Sequence, residues 1–152
     1  MQYWLMKSDP ETYGWPELLA EKDERDHWEG VRNYQARNFM RQMKVGDLAF
    51  FYHSVLKPLG IFGVVRIVKE AYPDPTQFNP ESKYFDPKSK SEDPRWSVVD
   101  VQKHMSFDPP ITLDELKQTP GLEDMLVLRK GQRLSIMPVT PEEWKIVSSL
   151  RD

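Results

Sequence analysis

Two runs of residues indicate the fold class: Leu48-Ala49-Phe50-Phe51-Tyr52-His53 and Gly60-Ile61-Phe62-Gly63-Val64-Val65-Arg66-Ile67-Val68. Both runs are apolar, rich in aromatic and β-branched residues, and bounded by turn-forming residues, which is typical of buried strands. Gly63 interrupts the second run and indicates a bulge or a close approach of another part of the chain. We therefore expect a sheet at the centre of the molecule.

Weaker strand and helix signals surround these two runs. Further strands are predicted near residues 3–6, 96–102 and 133–138, and residues 21–29 are predicted to form a polar loop. Short helices are predicted near residues 16–20, near residues 112–117 and from Thr140 onwards. Because strands dominate the centre and helices come singly, the pattern favours a small α+β domain built on a barrel-like sheet.

A longer helix is predicted over residues 33–43, with Asn33 as its N-cap. One face of this helix is apolar, which indicates packing against the sheet. The opposite face carries one aromatic and two basic side chains that we expect to contact a nucleic-acid backbone, namely Tyr34, Arg37 and Arg41.

Residues 72–95 hold five of the thirteen prolines and carry no clear helix or strand signal. Four aromatic residues in this excursion indicate that it packs on the domain rather than forming a flexible linker. They are Tyr72, Phe78, Tyr84 and Phe85.

Composition excludes several classes of protein. The 152 residues are 39% hydrophobic and 30% charged, which is typical of a folded domain and not of a disordered chain. No apolar run approaches the length of a membrane span, and the N-terminus does not resemble a secretory leader, so we expect a cytoplasmic protein, or a nuclear one in a eukaryote. The chain has no cysteine and three separated histidines. We therefore expect no disulfide, no metal site and no cofactor.

Charge is distributed unevenly along the chain, although the formal net charge is −3. Residues 9–29 are strongly acidic, whereas residues 31–69 carry seven basic residues against one acid, Asp47. A local basic field of this kind can attract one strand of nucleic acid without coating the molecule. An ordinary solvated surface would give the same pattern.

Residues 28–39 are the most distinctive segment for function. Trp28 offers an aromatic face to a nucleobase, Asn33 offers a donor and an acceptor to a base edge, and Arg32 can bind phosphate. In the alternative interpretation, the tryptophan is a core residue, the asparagine is only a helix cap and the arginines are solvated. Lys7-Ser8 and His53-Ser54 follow two predicted strands and are candidates for a shared pocket mouth. No catalytic triad, nucleophile elbow or phosphate-binding loop accompanies them.

Five segments of the chain together form a specific pattern: Lys7-Ser8-Asp9-Pro10, Trp28-Glu29-Gly30-Val31-Arg32-Asn33-Tyr34-Gln35-Ala36-Arg37-Asn38-Phe39, Phe51-Tyr52-His53-Ser54, Glu70-Ala71-Tyr72-Pro73-Asp74-Pro75-Thr76-Gln77-Phe78 and Arg133-Leu134-Ser135. In this order they resemble the EVE domain family, and the resemblance extends over residues 3–147. The resemblance implies one domain over residues 1–152. It also implies a PUA-like fold, a mixed and mostly antiparallel pseudo-barrel with flanking short helices that is related to YTH and ASCH domains.

The resemblance further implies non-catalytic binding of a modified nucleobase in DNA or RNA, for example methylated or hydroxymethylated cytosine. The residues that it assigns to the pocket are Lys7, Ser8, Trp28, Val31, Arg32, Asn33, His53, Ser54, Tyr72, Asp74, Pro75 and Gln77. A small hydrolase of modified nucleosides is an alternative, with Lys7 as a base beside an acid such as Asp74. A protein-interaction adaptor that uses the 72–95 excursion is another. The oligomeric state is left open by the sequence.

Overall fold

The computed structural model describes residues 1–151, and six of its strands form one sheet. The strands are β1 (Tyr3–Ser8), β2 (Arg25–His27), β3 (Leu48–His53), β4 (Gly60–Pro73), β5 (Ser97–Thr112) and β6 (Ile136–Val139). They lie in the order β2-β5-β4-β3-β1-β6. The β1–β3 pair is parallel and the other four pairs are antiparallel, which confirms the mixed, mostly antiparallel prediction. Asp152, the last residue of the predicted domain, lies outside the described residues.

Four short helices flank the sheet: α1 (Trp15–Ala20), α2 (Tyr34–Gln42), α3 (Leu113–Gln118) and α4 (Pro141–Ser148). The predicted cap of α2 is confirmed, because Asn33 Oδ1 accepts a hydrogen bond from the Ala36 amide at 2.9 Å. Such a cap satisfies one of the amides that have no partner inside the helix. It fixes the point at which the chain turns from the 28–32 segment into α2.

Both faces of the sheet are covered. Side chains of β3 alternate, so that Phe51 joins one core with Trp15 and Trp28, whereas Phe50 joins a second core on the opposite face. This alternation follows from the two-residue period of a strand. The 28–39 segment therefore lies on one known face of the sheet, the face that carries Trp28.

Gly63 is a point of close approach, as its position in β4 predicts. The Trp15 indole passes so near that a Cβ on Gly63 would lie 2.2 Å from Trp15 Cζ2. The register between β3 and β4 also shifts at this position. The glycine therefore lets the N-terminal end of α1 close over the sheet.

Several boundaries differ from the prediction. Residues 21–29 are not simply a loop, because β2 pairs with β5 at the sheet edge. Its sequence, Arg-Asp-His, carries no apolar alternation, so this strand forms through tertiary pairing and gives no periodic signal. The long β4–β5 hairpin also extends past the predicted strands, and the last strand begins at Ile136 instead of residue 133.

The 72–95 excursion packs on the domain, but only part of its aromatic set takes part: Tyr72 and Tyr84 are half-buried. Phe78 and Phe85 are each 38% exposed. The buried members are polar: Asp74 and Gln77 are fully buried. The Gln77 side chain donates to the carbonyls of Asp74 and Trp96 at 2.8 and 2.9 Å, which closes the excursion onto the start of β5.

Candidate functional site

A cavity of about 460 Å³ opens beside the C-terminal end of β1. This volume falls within the range usual for small-molecule sites. Three segments form most of its wall: the end of β1 with the chain after it, the chain from β2 to α2, and the middle of the 72–95 excursion. Val101 of β5 and Ser135 complete the lining. The lining residues are Lys7, Ser8, Asp9, Thr12, Tyr13, Asp26, His27, Trp28, Glu29, Gly30, Val31, Arg32, Ser82, Lys83, Tyr84, Val101 and Ser135.

Lys7 is one of the lining residues, and it is half-buried. Its ammonium group forms no ion pair or hydrogen bond with any residue in the range 1–151, and its Nζ lies 5.9 Å from the centroid of the ring of Tyr52, a residue of the second core. Burial lowers the pKa of Lys7, since a desolvated ammonium is less stable than a hydrated one. An ammonium group without a carboxylate partner at a cavity wall is suited to a ligand that offers hydrogen-bond acceptors.

Trp28 lies between the hydrophobic core and the cavity. It is 8% exposed, and its indole meets the Phe51 ring edge-on, with 5.3 Å between ring centroids. Its amide donates to the Val99 carbonyl at 2.8 Å, which ties the end of β2 to β5. Both earlier interpretations therefore apply in part, because the residue belongs to the core and also lines the cavity.

Tyr13 is a cavity residue that the sequence analysis did not single out. Its buried Oη lies near the Asp26 carboxylate but makes no well-aligned hydrogen bond with a described residue. Burial raises the pKa of the phenol, and the neighbouring Asp26 carboxylate raises it further. A buried hydroxyl without a well-aligned partner is unusual in a folded protein and marks a place where a ligand group or a water can bind.

Acidic side chains occupy one side of the cavity. His27 Nε2 lies 3.1 Å from Glu29 Oε1, and His27 Nδ1 lies 3.5 Å from Asp26 Oδ1. These residues belong to the segment predicted as a polar loop, and no motif marked them as site residues. Their oxygens can accept hydrogen bonds from an amino group in the cavity.

Arg32 and Asp74 form an ion pair beneath the cavity wall. Arg32 Nη1 lies 3.0 Å from Asp74 Oδ2, and the Asp74 side chain is fully buried. Burial alone would raise the pKa of Asp74, but hydrogen bonds from Thr76, Gly30 and Arg32 outweigh burial and hold this pKa below its ordinary value. The carboxylate therefore stays ionised and ties the 28–32 segment to the 72–95 excursion.

Tyr84 brings the 72–95 excursion to the cavity. Its ring lies directly against Gly30, and its carbonyl accepts hydrogen bonds from Arg32 Nε and Nη2 at 3.1 and 2.7 Å. The preceding residue, Lys83, reaches across the cavity mouth, where its Nζ lies 3.3 Å from Thr12 Oγ1. Residues 82–84 thus form an outer wall opposite the end of β1.

Five of the twelve predicted pocket residues line the cavity together: Lys7, Ser8, Trp28, Val31 and Arg32. The structure places the other seven outside its lining. Asn33 is exposed and caps α2. Asp74 and Gln77 are buried behind the outer wall, and Pro75 begins the short 3₁₀ turn between them. Tyr72 lies in a separate shallow crevice, where its hydroxyl donates to Asp100 at 2.6 Å.

His53 and Ser54 have local structural contacts instead of a place at the cavity. His53 Nε2 accepts a hydrogen bond from the Trp15 amide at 2.9 Å, and its ring stacks on Phe62. Burial lowers the pKa of His53, which favours the neutral imidazole that this acceptor role requires. The Ser54 hydroxyl donates to the Ser8 carbonyl at 3.2 Å. Strand ends that are adjacent in a sheet need not open into the same cavity.

The exposed face of α2 contacts the end of the excursion. The Tyr34 ring stacks on Trp96, with 4.8 Å between centroids, and the Arg37 guanidinium lies over the Tyr34 ring. Arg37 and Arg41 both donate to the carbonyl of Arg95, at 3.0 and 3.3 Å. This face is aromatic and basic as predicted, and it lies outside the cavity lining.

Within residues 1–151, no group of three or more histidine, aspartate and glutamate side chains is arranged to hold a metal ion. The helices of this range are also too short or too polar to cross a membrane.

Comparison with known proteins then decides the family. The family model for the EVE domain matches residues 2–150. The chain belongs to the EVE domain family. Thymocyte nuclear protein 1 from Homo sapiens is 46% identical over 99% of this chain and 74% of its own length.

Two solved structures are similar over nearly the whole chain. One is human thymocyte nuclear protein 1 in complex with DNA that contains 5-methylcytosine, with a TM-score of 0.93, 46% identity, and coverage of 99% of this chain and 97% of that chain. The other is a protein from Pseudomonas putida, with a TM-score of 0.92, 48% identity, and coverage of 99% of both chains. The EVE fold therefore extends along this chain as it does in these relatives.

Proposed function

We propose that this EVE domain is a non-catalytic reader that holds a modified nucleobase of DNA, such as 5-methylcytosine or 5-hydroxymethylcytosine, in the cavity beside Lys7 and Trp28. The observation that carries the proposal is a cavity of small-molecule size, lined by aromatic residues and by Lys7, whose ammonium group has no acid partner among the described residues. The complex of a 46% identical relative with methylcytosine-containing DNA supports it. The full-length match to the family model supports a single domain over residues 1–152.

The cavity offers the groups that a cytosine edge requires. Cytosine presents one amino donor beside two acceptors. The carboxylates of Asp26 and Glu29 can accept from the amino group, and Lys7 or the Tyr13 hydroxyl can donate to the acceptors. A base reaches such a site after leaving the duplex stack, at a cost of a few kcal/mol that these contacts must offset.

Discrimination between methylated and unmodified cytosine should be modest. Burying one methyl group contributes about 0.8 kcal/mol, which corresponds to about a fourfold difference in affinity. Most of the affinity should therefore come from the base itself and from phosphate contacts. Affinity should fall with rising salt concentration because counterions are released on binding.

The geometry favours binding over hydrolysis. The hydrolase alternative pairs Lys7 with an acid such as Asp74, but the Asp74 carboxylate is fully buried and is bonded to Arg32, Gly30 and Thr76. It does not line the cavity. The adaptor alternative expects a closed pocket, whereas this cavity opens to solvent.

Fluorescence anisotropy with matched oligonucleotides tests the proposal. Duplexes that carry cytosine, 5-methylcytosine or 5-hydroxymethylcytosine at one position are titrated beside RNA of the same sequence. We expect the modified DNA to bind a few-fold more tightly than the unmodified duplex. We also expect Lys7→Gln to weaken binding to all DNA duplexes. Equal affinity for every oligonucleotide, unchanged by Lys7→Gln, would overturn the proposal.

A further inference from the structure

Arg32 has no hydrogen-bond donor to spare. A guanidinium carries five N–H groups. In this structure Nε donates to the Tyr84 carbonyl, Nη1 donates to the Val31 carbonyl and Asp74, and Nη2 donates to Thr76 and the Tyr84 carbonyl. These five contacts use the whole donor set, all at 2.7 to 3.1 Å. A phosphate could bind this guanidinium only after one of them had broken.

The contacts of Arg32 converge on Tyr84. Two of the five donors point to the Tyr84 carbonyl, and the guanidinium carbon lies 5.6 Å from the centroid of the Tyr84 ring. Residues on either side of Tyr84 belong to no helix or strand. The side chain of Arg32 therefore holds Tyr84 in place, as the backbone hydrogen bonds of a helix or strand would otherwise do.

Gly30 also lies directly against the Tyr84 ring. Its φ of +84° lies in the left-handed region, and a Cβ at this position would come within 2.5 Å of the ring. The Gly30 amide donates to Asp74 Oδ2 at 3.0 Å, and the same oxygen accepts from Arg32 Nη1. The buried Asp74 carboxylate thus fixes the positions of Gly30 and Arg32, the two residues that hold the Tyr84 ring.

Tyr84 itself lines the cavity. A tyrosine ring at the wall of a cavity, held in place by Gly30 and Arg32, is arranged to contact a planar ligand. We propose that Tyr84 packs against the bound base and that Arg32 is a positioning residue that holds Tyr84, instead of a phosphate contact. This inference rests on the proposed function and adds to it the residue that forms the outer wall.

Gly30→Ala tests the position of the ring without touching Arg32. The added methyl must displace the Tyr84 ring, so binding of a 5-methylcytosine duplex should weaken at least about fivefold, as it should for Tyr84→Ala. Gly46→Ala is the matched control. Gly46 has a φ of +97°, so alanine is strained there too, but its Cβ would meet nothing within 4 Å. It lies before β3, at the end of the sheet away from the cavity, and we expect less than a twofold change.

Arg32→Lys and Arg32→Gln test how the arginine acts. If Arg32 positions Tyr84, both variants bind about as weakly as Tyr84→Ala, the Arg32→Lys/Tyr84→Ala double variant binds no more weakly than Tyr84→Ala, and the salt dependence stays that of the wild type. If Arg32 contacts phosphate, Arg32→Lys retains binding, and Arg32→Gln lowers the slope of log affinity against log salt by about 0.9. Circular dichroism establishes that each variant is folded at the assay temperature. Gly30→Ala and Tyr84→Ala keep the ion pair and decide the matter if the Arg32 variants unfold.

The outcomes separate this inference from the proposed function. If wild-type protein binds modified and unmodified duplexes equally, and Lys7→Gln leaves these affinities unchanged, the proposed reader function is refuted. Wild-type protein that discriminates, together with Tyr84→Ala and Gly30→Ala that bind as tightly as wild type, would refute the role of Tyr84 alone. Loss of binding in both variants, with Gly46→Ala unaffected, is the result that the inference predicts.

Discussion

Arg32 and the pair formed by Arg37 and Arg41 come from one short basic segment, but the structure gives them different environments. Arg32 uses all five of its N–H groups on the protein and pairs with a fully buried carboxylate. Arg37 and Arg41 each make three hydrogen bonds with described residues, and none of these six contacts is to a carboxylate. The first arginine supports the cavity wall, whereas the other two keep donors available at the surface.

This contrast shows that structural and ligand-binding arginines can be told apart by how many guanidinium N–H groups the protein itself already binds, whereas residue type cannot distinguish them. A buried charge that is fully hydrogen-bonded is costly to disturb, since either partner left alone is desolvated and unpaired. An exposed guanidinium loses little when one partner changes.

Asp74→Ala should cost about 3 kcal/mol of unfolding free energy, because it leaves Arg32 without its counterion and removes the acceptor that Gly30 and Thr76 share. Urea denaturation measures this loss. Asp124→Ala is the matched control, since that aspartate is exposed, and it should change stability by less than about 0.5 kcal/mol. Similar losses of unfolding free energy in the two variants would mean that the Arg32–Asp74 ion pair contributes no more to stability than an exposed side chain.

Acid should weaken the Arg32–Asp74 ion pair and so lower the stability of the protein. The pKa of Asp74 is lower in the folded protein than in the unfolded chain, so its contribution is present above the unfolded value and is lost as pH falls through the folded value. Unfolding free energy should therefore decline below about pH 4, by less than the Asp74→Ala loss. Urea titrations over this range should show a flatter decline for Asp74→Ala. Identical pH profiles for wild type and variant would contradict the assignment.

Lys7→Gln should weaken binding of a 5-methylcytosine duplex about tenfold, because it removes a charged donor to the ligand. Since burial lowers the pKa of Lys7, wild-type affinity should also fall at alkaline pH before an ordinary lysine would titrate, and the variant should lack this fall. Anisotropy titrations over a pH series measure both effects. Lys145→Gln is the control, because Lys145 is exposed on α4, which packs on the opposite face of the sheet. A similar loss in the control would indicate a general effect of charge.

Arg37→Gln and Arg41→Gln should have the smallest effects on affinity, about twofold to threefold each at moderate salt. If these arginines contact phosphate as the sequence predicts, each substitution should lower the slope of log affinity against log salt by about 0.9. The ratio of affinities for methylated and unmodified duplex should stay unchanged. An altered ratio would mean that the exposed face of α2 contacts the base and not only the phosphate backbone.

Much of the fold was readable from the sequence because its signals are local. The apolar runs of β3 and β4, the Asn33 cap and the close approach at Gly63 each depend on neighbours along the chain or on a glycine with one evident purpose. β2 was missed because Arg-Asp-His becomes a strand only through pairing with β5. Local patterns carry no trace of such a partner.

The cavity was less predictable, because a cavity depends on which side chains remain unpaired. Lys7 and Trp28 were singled out from the local sequence as well as from the resemblance, and both line the cavity. Tyr13, Asp26 and Tyr84 were not, since each lies in a segment without a motif for its role. A signal for Tyr84 did exist in part: an aromatic residue in an ordered excursion, with a glycine before α2 that could receive its ring. Only the structure brings those two positions together.

A crystal structure of this EVE domain bound to a duplex with one 5-methylcytosine is the most direct test. The account predicts that the methylated base leaves the stack and lies in the cavity between Trp28 and Tyr84, with Lys7 Nζ within hydrogen-bond distance of one of its acceptors. A methylated base that stays stacked in the duplex, with the cavity occupied by solvent, would contradict it.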